Sequence, residues 1–149
     1  MTNISDYEIL LSAVIGWASA QILKTLIYLL INKKFVAERL VGTGGMPSSH
    51  SATVCGLCSA IAVNYGMSSV EFAISAIFAI VVMVDALGVR RETGRQAVVL
   101  NEMMEFFKKM GTEMTATDRL KEFIGHSPLQ VLVGALMGIG IGILVCYLL

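Results

Sequence analysis

The chain contains two histidines, His50 and His126. Imidazole is the side chain whose ordinary pKa best suits attack and proton transfer near neutral pH. Their surroundings therefore decide what chemistry is open to this protein. His50 closes the run Gly42-Thr43-Gly44-Gly45-Met46-Pro47-Ser48-Ser49-His50, a glycine-rich loop that feeds a segment of small residues. Glycines such as Gly44 and Gly45 let backbone N–H groups turn toward an anion, and a helix N-terminus adds partial positive charge. Ser48 or Ser49 suits an N-cap or a bond to a phosphate oxygen. His126 lies in Gly125-His126-Ser127-Pro128-Leu129-Gln130. Pro128 can open a helix and set His126 just before its first turn. The blander alternative is two interfacial histidines with no shared site, one of them beside an ordinary capped loop.

Other polar residues stand in apolar company. Lys24 falls about two turns inside a long apolar stretch, and Gln21 is three residues earlier on the same helix face. Such a lysine either snorkels to the headgroups or faces a polar interior. Asp85 ends another apolar stretch, close to Arg90 and Arg91. That grouping fits a structural ion pair or part of a site. Cys55 and Cys58 form a Cys-x-x-Cys on an apolar segment, where small packing residues are the simpler account than a redox pair. No spacing among His50, His126 and Asp85 demands a metal.

These residues need a scaffold, and the composition says which kind. Of 149 residues, 56% are hydrophobic and 15% charged, against about 45–50% and about 25% in soluble domains. Mean hydropathy is +0.76. Formal charge is zero, from 11 basic and 11 acidic residues, so nothing marks a nucleic-acid partner. Three cysteines are too few for a disulfide framework.

The expected architecture is all-α, an integral membrane bundle forming one domain. It has about four spans near residues 9–31, 51–65, 70–89 and 129–149, with a polar insertion at 90–128. The acidic flank before Ile9 argues against a cleavable signal peptide. The second span is short and rich in Ala, Ser, Cys and Gly, which predicts a helix packed inside the bundle. In the fourth, Gly134, Gly138 and Gly142 form a packing stripe. Within the insertion, Gln96 to Met110 has the apolar spacing of an amphipathic helix on the membrane or the bundle. Thr117 or Asp118 could cap a second helix ending near Gly125. Ten of the eleven basic residues fall in two loops that share one side of such a bundle. The positive-inside rule makes that side cytoplasmic and puts both termini outside. Arg95 and the Lys108–Lys109 pair would meet anionic headgroups of membrane lipids there.

Pro47-Ser48-Ser49-His50 resembles the Pro-Ser-Gly-His motif of the type 2 phosphatidic acid phosphatases, relatives of the vanadium haloperoxidases. His126-x-Pro128-x-Gln130-Val131-x-x-Gly134 is similar to that family's third motif, His-x-Pro-x-Asp-Val-x-x-Gly. Together with Thr43 to Ser51 and Asp85-Ala-x-Gly-Val-Arg-Arg91, these residues resemble a divergent bacterial and plant branch of the superfamily. The likeness runs from Gln21 and Lys24 to Gly138.

The resemblance implies that His126 is the nucleophile on phosphorus and His50 the acid that protonates the leaving oxygen. It implies that Lys24, Arg90 and Arg91 hold phosphate oxygens, and that neither metal nor cofactor is needed. Gln130 stands where the family has the aspartate that orients the nucleophile; an amide can hold the ring but carries no charge. Asp85 supplies that charge if it lies near His126 in space. The Lys-x6-Arg-Pro motif of the family is absent, and Arg119 sits one residue from the expected third-motif arginine.

The implied activity is hydrolysis of a lipid-linked phosphomonoester or diphosphate at the cytoplasmic face of a bacterial membrane. The alternatives are a non-catalytic protein that binds or transports a phosphate lipid, and a structural bundle subunit. A homo-oligomer is compatible with all three.

Overall fold

A computed structural model describes residues 4–33, 45–110, 120 and 125–149, with side chains described from Tyr7 onward except those of Arg90 and Arg91. The described residues form five helices: α1 (Ile4–Asn32), α2 (Ser49–Tyr65), α3 (Val70–Leu87), α4 (Val89–Lys109) and α5 (Pro128–Leu148). Among the described residues, α1, the run opened by α3, and α5 are long and apolar enough to cross a membrane. The protein is therefore an all-α membrane bundle.

The bundle is apolar outside and small or polar inside, as lipid requires. Leu10, Val14, Trp17, Ile74, Phe78, Leu132 and Leu136 are exposed, whereas Ser12, Ala13, Ala20, Ala52 and Ala60 are buried. Lipid is as apolar as leucine, so large side chains gain nothing by turning inward, and close backbone packing decides the interior. The short helix α2, 17 residues long, occupies the centre and touches α1, α3 and α5. Its small residues make that possible. Gly134 and Gly138 of α5 lie directly against the backbones of Ser48 and Ala52, and Gly142 against Ser59 and Gly56. Across α2, Gly16 of α1 faces the Ala52 carbonyl and Gly56 faces that of Ser12. These pairings run α1 and α2 antiparallel and α2 and α5 parallel. The Ser49 end of α2 therefore shares one face of the bundle with the Asn32 end of α1 and the Pro128 end of α5.

Several boundaries differ from expectation. Helix α1 begins at Ile4, before the apolar run, so the acidic flank is helical; Glu8 is buried and its carbonyl accepts the Ser12 hydroxyl at 2.7 Å. Helix α2 begins at Ser49, with Ser48 as its N-cap, which makes His50 helical. The break after α3 is Gly88 alone, and α4 runs from Val89 through the expected loop to Lys109. Arg90 and Arg91 thus lie in the first turn of α4. Its outer face exposes Val99, Met103, Phe106 and Met110, while Ala97 and Asn101 are buried. Asn101 imitates a strand: its amide donates to the Leu120 carbonyl at 2.9 Å and accepts from the Leu120 N–H at 3.0 Å. Thr117, Asp118 and Arg119 lie outside the described residues, as does Gly44.

Candidate active site

His126 is 3% exposed and sits between two helices. Its backbone N–H donates to the Ala86 carbonyl at the end of α3, 3.1 Å away. Its side chain is held from α5. Ser127 and Gln130 form a reciprocal cap in which the Ser127 hydroxyl accepts from Gln130 N–H and the Gln130 carbonyl oxygen accepts from Ser127 N–H at 3.1 Å. The same Gln130 oxygen lies 3.2 Å from His126 Nδ1. An amide oxygen only accepts, so this contact is a hydrogen bond when Nδ1 carries the proton, and in the neutral ring the lone pair is then on Nε2. Gln130 therefore performs the orienting half of the work an aspartate would do, without the charge.

His50 stands on the first turn of α2, and its ring lies edge-on to that of His126 with centroids 6.0 Å apart. The two helix starts are tied together by Ser48 N–H, which donates to the Gln130 carbonyl at 3.0 Å. Ser48 is fully buried, and its hydroxyl accepts from both the N–H (3.3 Å) and the hydroxyl (3.0 Å) of Ser51. Ser49 is buried beside it. Two parallel helices thus present adjoining N-termini, the ends that carry partial positive charge, at the pair of histidines.

Lys24 is 3% exposed and does not snorkel; its ammonium donates to Gln21 Oε1 at 2.8 Å. Its stem runs beneath the loop before α2. A Cβ at Gly45 would come within 3.3 Å of Lys24 Cγ, and Gly45 has a left-handed φ of +85°. The φ is what favours glycine there; the contact shows how closely the lysine stem approaches. A buried lysine is thereby brought to the loop that leads to His50. Asp85 is half-buried on the α3 turn that carries Ala86. The predicted set His50, His126, Gln130, Ser48, Ser49, Gly45 and Lys24 converges on one end of the bundle, with Asp85 and the backbone of Arg90 and Arg91 at the adjoining end of α3.

Cys55 packs against Met83 (Sγ to Sδ 3.9 Å) and is free, as are Cys58 and Cys146. Among the described residues, no group of three His, Cys, Asp or Glu side chains is close enough to hold a metal ion.

Two features went unread in the sequence. The Ala86 carbonyl that anchors His126 is a backbone group and has no signature. Ser127, by contrast, is legible: Ser-x-x-Gln before an apolar run is a capping box. Gln130→Leu should keep the Ser127 hydroxyl on the residue-130 N–H but lose the bond from the Ser127 N–H to Oε1, and also release the His126 ring. The expected result is a mixed Nδ1–H and Nε2–H population in the imidazole 15N spectrum; a single unchanged tautomer would remove Gln130 from this role.

A family model described as "Divergent PAP2 family" matches residues 5–141. The chain is also 38% identical over 147 residues to the protein named uncharacterized membrane protein YuiD of Bacillus subtilis (strain 168), covering 93% of each chain. No solved structure matches it.

Proposed function

This chain belongs to the Divergent PAP2 family, and we propose that it is a membrane-embedded phosphatase acting on a lipid-linked phosphomonoester or diphosphate. The observation that carries the reading is the histidine pair, 6.0 Å apart at adjoining helix N-termini, with one ring held by an amide that leaves its lone pair on Nε2. In this reading Nε2 of His126 attacks phosphorus. The bond from phosphorus to the lipid oxygen breaks, and His50 gives that oxygen its proton. Water, giving a proton back to His50, then attacks the phosphohistidine; the P–N bond breaks and phosphate leaves, so one difficult displacement becomes two. The N-termini of α2 and α5, the Gly44–Gly45 backbone, the hydroxyls of Ser48 and Ser49, and the cations Lys24, Arg90 and Arg91 compensate the phosphate charge. Asp85, next to the Ala86 whose carbonyl anchors His126, would supply the negative charge that Gln130 lacks. The membrane setting supports a lipid substrate.

We place the site at the cytoplasmic face with both termini outside, and the short α2 as a fourth span. Ten of the eleven basic residues lie in the two sequence segments between α1 and α2 and between α3 and α5, and by the positive-inside rule this supports the orientation. Cysteines introduced at Lys33 and Lys108 are expected to react from the same side in sealed vesicles; labelling from opposite sides would end the shared-face arrangement.

The test of function is phosphate release from a panel of lipid phosphates by the purified protein, with and without vanadate. Vanadate mimics the five-coordinate phosphorus of the transition state and should inhibit. His50→Ala should slow release by about 10²-fold or more, and least for esters whose leaving oxygen needs no proton. Release that ignores both vanadate and His50 would overturn the mechanism. A second reading, a phosphate-lipid binder or transporter, is favoured by the uncharged Gln130. It predicts specific binding of the same lipids without release.

A further inference from the structure

Helices α3 and α5 barely touch. Both lean on α2, but α5 is drawn tight by its glycines while α3 meets α2 through Ala79 against Val54 and Cys55, with Val82 and Met83 alongside. The divergence leaves a groove of about 430 Å³, or about 930 Å³ with its open mouth. Cys58, Ser59 and Ala62 of α2 form its floor, and Ala76 and Ile80 of α3 face Ile139 across it. The floor is almost wholly apolar. The one hydroxyl, Ser59, is turned to its own helix and donates to the Gly56 carbonyl at 3.1 Å. Nothing polar is offered to an occupant, so the occupant is hydrocarbon.

Its position relates it to the histidines. The groove begins at Cys55 and Met83. Cys55 is five residues below His50 on α2, about 7.5 Å along the axis. Met83 is three residues below Ala86, the residue that anchors His126, about 4.5 Å along α3. From there the groove descends to Phe72, about 16 Å further along α3. Even the larger volume spread over that length gives a mean cross-section of about 56 Å², below the ~80 Å² of a helix 10 Å across. An extended hydrocarbon chain fits inside that section, whereas a helix could only lie across its mouth.

We propose that the α2–α3–α5 groove is the chain-binding subsite of the phosphate site, and that it takes the alkyl, acyl or prenyl chain of the lipid whose phosphate meets His50 and His126. This rests on the lipid-phosphate reading above and adds where the lipid lies. The head then sits at the helix N-termini and the chain runs down the groove toward the opposite face of the bundle.

The test uses the full-length protein in bilayer nanodiscs and an alkyl phosphate carrying a diazirine at mid-chain. After photolysis, the label is expected on Cys58–Val63 of α2 and Ala76–Ile80 of α3. It should fall about tenfold when the phosphate is replaced by a hydroxyl on the same chain, or when Ala76→Phe fills the groove. Release of phosphate from a short, water-soluble ester should persist in Ala76→Phe. Equal labelling by the alcohol, or label on outward residues such as Leu10 and Val14, overturns the proposal and reduces the groove to an ordinary lipid contact. The wild-type map stands whether or not Ala76→Phe folds. Phosphate-dependent groove labelling without phosphate release would keep this inference and remove the hydrolase reading. Release with the label elsewhere would do the reverse.

Discussion

His126→Ala is expected to lower phosphate release by about 10³-fold or more, while the bundle remains intact. The two halves of that statement come from different parts of the residue. The backbone N–H of His126 holds the Ala86 carbonyl, and alanine keeps that bond. Gln130 still accepts the Ser127 N–H, so the start of α5 survives the loss of the ring. What disappears is the proposed nucleophile, the ring that Gln130 holds at Nδ1. On the proposed covalent route the phosphoryl group then has no His126 nitrogen to accept it. Lys24→Met should behave differently. Its ammonium contributes charge to a bound phosphate in ground state and transition state alike, so KM rises more than kcat falls. A binder or transporter reverses the ranking: lipid-phosphate affinity then depends on Lys24 and hardly on His126. Measuring release and binding for both variants separates the two cases. Release that survives His126→Ala near the parent rate would exclude the histidine nucleophile outright.

The same residues show what a sequence discloses and what it conceals. Composition and span pattern announce an all-α membrane bundle because lipid imposes one rule along the whole chain. The interior place of α2 is legible too, since a short helix of Ala, Ser, Cys and Gly has no large apolar side chains to offer lipid. Pro128 marks the start of α5 because a missing N–H costs nothing at a first helical position. The start of α4 is concealed. Gly94 and a cluster of charges look like loop, yet Gly88 alone forms the break, and the helix carries Gly94 in its interior. Gln130 reads as a departure from the family's aspartate when weighed only by charge. Its acceptor geometry toward both Ser127 and His126 appears only when the helix start is built. Lys24 and Gly45 are 21 positions apart, and only the antiparallel packing of α1 on α2 brings the lysine stem under the glycine. Contacts of that kind are properties of register, and register is set by the glycines.

Gly138→Leu tests that register and should be the most damaging substitution outside the site. Gly138 lies directly on the Ala52 backbone; a Cβ there would stand 2.9 Å from both the carbonyl carbon and Cα of Ala52. These are backbone atoms of a central helix and cannot swing aside. On the other flank of α2, a Cβ at Gly56 would stand 3.0 Å from the Ser12 carbonyl oxygen, so α2 has little room to retreat toward α1 either. Replacing glycine by leucine inside a helix favours the helix by about 1 kcal/mol, but overpacking against fixed backbone costs about 3 kcal/mol or more, and the clash wins. Gly140, two residues on, supplies the control: a Cβ there meets nothing within 4 Å. Gly140→Leu should keep the propensity gain and stay monodisperse. Gly138→Leu is expected to lower the unfolding midpoint in detergent by roughly 10 °C or to yield no folded protein. Equal stability of the two variants would show that the α2–α5 contact is not built on the glycine stripe. The consequence reaches the site, because the Ser48-to-Gln130 bond that sets His50 against His126 lies about two turns above Gly138 on α5 and about one turn above Ala52 on α2. A milder Gly138→Ala that folds should therefore lose phosphate release out of proportion to its loss of stability, as the two helix starts slide and the histidines separate.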